Sequence, residues 1–98
     1  LDRPRRRDQS GGYKAYVAAN AEPFRRYGAR FVVRGGTFEP MEGQSRARNV
    51  VIEFKDYATA LACYRSPEYQ RAMALRKGHA IADIIVIEGY DGPQPGDS

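Results

Sequence analysis

The chain has 98 residues, 42% hydrophobic and 29% charged, which describes one small globular domain. Its net charge is +4, and Leu1–Arg7 carries most of it: Arg3, Arg5, Arg6 and Arg7 stand against Asp2, so the rest of the chain offers no broadly basic face to nucleic acid. No apolar run is long enough to cross a membrane, no apolar segment follows the basic start as a signal peptide requires, and the lone Cys63 excludes an internal disulfide.

These features together point to a reducing, cytoplasmic setting. The first residue is Leu, which points to a fragment or a processed chain. Residues 1–12, LDRPRRRDQSGG, read as a flexible arm, because arginine repulsion, Pro4 and the Gly11-Gly12 pair oppose regular structure. Tyr13, Tyr16, Val17, Phe24 and Tyr27 recur at helical spacing and predict a helix over 13–27. Pro23 should kink that helix near Ala19 or divide it, and Gly28 is placed to end it.

Ala29 to Arg34 predicts a strand, with Phe31 and Val33 on one face and Val32 on the other. A long connection follows. It carries Glu39 and Glu42, then Arg46 and Arg48, so its two arms could pair charges. Asn49-Val50-Val51-Ile52-Glu53-Phe54 is the most strand-like run, nearly continuous in apolar character, as a central strand should be. Asp56 suits the N-cap of a helix over 57–65. Ser66-Pro67-Glu68 then restarts a helix: Ser66 as cap, Pro67 at the first position, Glu68 near the positive end. Gly78 stops it. Ala82 to Glu88 predicts a last strand, and 91–98, with two prolines and two glycines, a disordered tail.

The order helix, strand, strand, helix, strand lacks only a leading strand to be the β-α-β-β-α-β plan. Four runs carry a specific likeness: 27–36 YGARFVVRGG, 48–54 RNVVIEF, 64–70 YRSPEYQ and 82–89 ADIIVIEG. Over 12–90 the chain resembles the domain-of-unknown-function 1330 family. The resemblance implies an α+β, ferredoxin-like antiparallel sheet with two helices on one face, spanning 13–90. It also implies a dimeric α/β barrel, in which two subunits pack sheet to sheet, and hence a homodimer.

The chain departs from that family at its start. Relatives begin with a strand of the form Gly-Tyr-Trp-Ile-Ala-Arg-Val-Asp-Val, central in the sheet between the third and fourth strands. Leu1–Arg7 cannot be a buried strand, since Pro4 lacks a donor and four arginines would need burial. Its loss should leave the last strand without its partner. Tyr-Trp-Ile-Ala-Arg-Val-Asp-Val in GC-rich codons, TAC TGG ATC GCC CGC GTC GAC GTC, read two bases late, gives Leu-Asp-Arg-Pro-Arg-Arg-Arg, which is Leu1–Arg7. We therefore expect the leader to be an out-of-frame reading of the family's first strand, which resequencing upstream of the Asp8 codon tests. The rival expectation is an evolved basic arm that binds nucleic acid, with salt-sensitive affinity lost on removing residues 1–7.

No strong catalytic constellation is present. One His, one Cys and no metal-ligand spacing point away from a metal site, a Cys-His nucleophile or a bound cofactor. Gly35-Gly36 reads as a backbone turn, because no helix start follows it as in a phosphate loop. Cys63 reads as a packed thiol. The best catalytic candidates are the carboxylates on strands, Glu53 and Asp83; Arg34 and Arg48 are cationic partners for them. In a sheet-to-sheet dimer this set could line a cleft for a small polar or acidic ligand, or the charges could simply pair and fix register. Tyr64, Tyr69 and His79 are further ligand-contact candidates, against packing for the two rings and solvation for the histidine.

Overall fold

The structure is a computed structural model that describes residues 3–78 and 81–97, with side chains from residue 14 onward. It is α+β, in the order α1 (Arg3–Arg26), β1 (Arg30–Arg34), β2 (Val50–Glu53), α2 (Tyr57–Arg65) and α3 (Pro67–Arg76). The two strands form one antiparallel sheet.

The first helix is longer than its periodicity suggests. It starts at Arg3 rather than at residue 13, so 3–12 is helical and not a flexible arm. Arginine is a good helix former and proline is tolerated in the first turn, so the composition permits this despite the two glycines. Nor does Pro23 divide α1. It stays inside the helix, fully buried, and its carbonyl still accepts from Tyr27 N at 3.0 Å. Gly28, at φ 73°, then turns the chain, while Ala29 N donates to Phe24 O at 2.8 Å.

β1 and β2 pair Arg30 with Glu53, Phe31 with Ile52, Val33 with Val51 and Arg34 with Val50. Val32 is the extra residue of a β-bulge. The bulge reverses the expected parity of β1. Opposed residues share a face, so Phe31 lies with Ile52 on one side and Val33 with Val51 on the other. The Phe31 side is the one that meets the helices. Phe24 of α1 stands 5.8 Å from Phe31 and 6.4 Å from Phe54, centre to centre, both edge-on, and stacks on Tyr69 of α3 at 5.8 Å. One aromatic ring thus joins the sheet to both long helices.

The caps follow their residues. Asp56 Oδ1 accepts from Thr59 N at 2.7 Å to start α2. Ser66 closes α2 and opens α3 at once: its hydroxyl donates to Cys63 O at 2.8 Å and accepts from Tyr69 N at 3.1 Å. Pro67, at the first position, has no N–H to leave unpaired. Around this corner Cys63, Tyr69, Ala72 and Pro23 are buried, with Asn20 and Ser66 as the buried polar residues.

The expected strand over Ala82–Glu88 is not formed. The segment has no regular secondary structure and no ladder partner among the described residues. A strand exists only beside another strand, and among the described residues none lies beside this segment. The tail after it makes local turns: Tyr90 Oη donates to Pro93 O at 2.8 Å, and Asp97 N to Gln94 O at 2.8 Å.

Candidate functional site

The face of the sheet turned away from the helices is open. Val33 and Val51 form its centre and stay largely exposed, with the bulged Val32 beside them. Arg30 and Glu53 are opposed at one end, and Arg30 Nη1 donates to Glu53 Oε1 at 3.1 Å. Alternation along β2 places Glu53 with Val51 on this face, as the sequence pattern indicates. Its cation is Arg30, however, not Arg34 or Arg48. The bulge explains the difference: it sends Arg34 to the opposite face, where its guanidinium lies 4.2 Å from the centre of the Phe31 ring.

Arg48 sits against the turn that ends β1. Gly35 has φ 66°, which favours glycine, and the Arg48 guanidinium lies over its Cα, where a Cβ would make it shift. Asp83 is exposed and bound twice by Arg46, whose Nε donates to Asp83 Oδ2 at 2.9 Å and whose Nη2 lies 2.7 Å from the same oxygen. Arg46 therefore pairs beyond the connection that holds it rather than across it.

Two other candidates face the helical core. Tyr64 stands 5.2 Å from Tyr69, centre to centre, and its hydroxyl donates to Met73 Sδ at 3.5 Å. Tyr69 is buried and shares a 2.8 Å hydrogen bond with the Tyr16 hydroxyl, while the Arg76 guanidinium covers the Tyr16 ring at 5.1 Å. Burial, and then the bond to Tyr16, push the Tyr69 phenol well above its usual range. These tyrosines pack the core and do not line the open face. His79 lies outside the described residues.

Cys63 is buried, and its thiol is pushed up to about 11, first by desolvation and then by the charge of Glu68. It is a packing residue and a poor nucleophile. A shallow groove of about 340 Å³ between α1 and α3 is floored by Pro23, Ala72 and Leu75. Among the described residues no buried side-chain nitrogen or oxygen lacks a hydrogen-bond partner. Among the described residues no three of His, Cys, Asp and Glu come together as a metal site.

Arg30 was not identifiable in the sequence as the partner of Glu53, because pairing across strands depends on register, and the bulge sets the register. The hairpin pattern of Arg30 and Glu53 becomes legible only once Val32 is counted as extra. No helix of the described residues is long and apolar enough to cross a membrane. No curated protein matches the sequence. The profile of the family described as Domain of unknown function (DUF1330) matches residues 6–90, nearly the whole chain, and the chain belongs to that family.

Proposed function

We propose that the chain is a small cytoplasmic homodimer of ferredoxin-like plan that binds a small polar or acidic ligand in a cleft between its open sheet face and the partner. The observation that carries this reading is the face itself: an apolar centre of Val33 and Val51, uncovered by any helix, with an ion pair at its margin. A folded monomer of 11.0 kDa is expected to expose about 5,600 Å², whereas this chain exposes 8108 Å². The excess is of the size that obligate partners cover in each other, roughly 1,000 to 2,500 Å² a side. Glu53 is the acid or base candidate there, with Arg30 the cation beside it. Asp83 is the second carboxylate, held by Arg46.

The test has two arms. Val51→Lys changes an exposed residue, so it should keep the circular dichroism of the parent and convert a dimer to a monomer in light scattering. Arg30→Gln should keep the dimer but lose thermal stabilisation by a panel of small mono- and dicarboxylates. A parent that is monomeric at every concentration overturns the dimer, and a panel without effect on the parent overturns the acidic ligand.

A second reading is a non-enzymatic dimerisation module. It is favoured by the charge pairing: Glu53 and Asp83 both already have arginine partners. It predicts the same loss of dimer in Val51→Lys and no stabilisation by any carboxylate.

A further inference from the structure

Residues 81–90 contain the most exposed apolar stretch among the described residues. Ile81, Ile85 and Ile87 are 79%, 80% and 76% exposed. Ile84-Ile85-Val86-Ile87 is β-branched at every position, which favours an extended backbone. Among the described residues no backbone–backbone hydrogen bond reaches this stretch. Such a segment presents a row of free donors and acceptors to any strand that comes beside it. Its start is fixed by the ion pair of Asp83 with Arg46.

Its own sheet is a poor partner. Arg46 precedes β2, and Asn49 Nδ2 donates to Arg46 O at 3.3 Å, so Asp83 is anchored near the start of that strand. Laid parallel along β2 from there, the segment would bring Glu88 alongside Glu53, like charge beside like charge.

We infer that Asp83–Gly89 pairs antiparallel with the same segment of a second copy, about a twofold axis at Val86. In that register Ile85 lies opposite the partner's Ile87, and Ile84 opposite the partner's Glu88. Asp83 falls opposite the partner's Gly89, so no two acidic residues are opposed and Asp83 keeps Arg46. An isologous contact of this kind needs one sequence to complement itself, and this register does. Two such strands bury less than the roughly 1,200 Å² of a standard interface, so the pairing is reversible and depends on concentration. It uses a different surface from the open sheet face and does not rest on the proposed ligand cleft.

The experiment is cross-linking of the full chain with a short bismaleimide, the buried Cys63 being left in place. Position 86 meets its own copy on the axis, whereas position 82 lies about 27 Å from its copy at 3.4 Å per residue. Val86→Cys is expected to cross-link at least tenfold faster than Ala82→Cys. Adding Ile85→Lys, at an exposed position, should abolish the Val86→Cys product, with circular dichroism and any dimer through the sheet face unchanged. Equal cross-linking at 82 and 86 overturns the register. A Val86→Cys product that survives Ile85→Lys overturns the surface. Amide protection at 84–88 in the dilute monomer overturns it in favour of docking on β2.

Discussion

Ser66 shows how much one side chain can decide. Its hydroxyl donates to Cys63 O near the end of α2 and accepts from Tyr69 N in the first turn of α3, in the buried corner beside Cys63 and Tyr69. Ser66→Ala loses both bonds and leaves Cys63 O without that donor. We expect a loss of about 1–2 kcal/mol, read as a lower urea midpoint with an unchanged slope. Cys63 makes a separate, pH-dependent contribution. Its folded thiol is raised to about 11 from 9.0, so the unfolded chain releases its proton first as pH climbs. The unfolded state then binds fewer protons than the folded one, and stability falls as pH rises above about 9. Tyr69, raised for the same first reason, steepens the fall above 10. Urea midpoints at pH 7, 9 and 10.5 should therefore decrease in that order, and Cys63→Ala should flatten the first part of the decline. At pH 8 the folded thiol should resist a disulfide reagent that labels the urea-unfolded chain at once.

At the scale of elements, the pieces whose causes are local were the legible ones. α2 occupies the range that Asp56 and Ser66 delimit, and α3 begins where Ser66 and Pro67 require. β1 and β2 follow their β-branched runs. The start of α1 was not legible, since arginine and glycine argue in opposite directions and the helix continues through both. The parity of β1 was not legible either. A bulge is a property of two strands, and nothing in Phe31-Val32-Val33 marks the middle residue as the extra one. The same limit hid the candidate site: Glu53 was identifiable as a polar residue on an apolar strand, but its cation depends on that bulge.

For the whole molecule, neither the outer edge of β2 nor the segment after α3 has a strand beside it among the described residues. The radius of gyration, 16.1 Å, exceeds the roughly 13 Å of a compact chain of this length. The extra surface lies where a layer is incomplete: the open sheet face, the outer edge of β2 and the isoleucines of 81–87. Replacing Leu1–Arg7 by Tyr-Trp-Ile-Ala-Arg-Val-Asp should supply that neighbour if the leader is a shifted reading. We expect a higher Tm, a smaller radius in solution scattering and slower amide exchange at 84–88 than in the parent. An unchanged Tm and radius would instead mark the arginine leader as the native start of a differently built sheet.

The bulge at Val32 has a consequence for sequence length. Because Val32 has no residue opposite it, removing it leaves Phe31, Val33 and Arg34 facing the same sides as before. A one-codon deletion inside a strand ordinarily inverts everything downstream of it. Here it should yield a straighter ribbon that still folds, with Tm within a few degrees of the parent, whereas deleting Ile52 of β2, which has Phe31 opposite it, should unfold the protein. The strand thus carries a spare residue, and this is the place where a shorter homologous chain could differ without changing which side chains it shows to the helices.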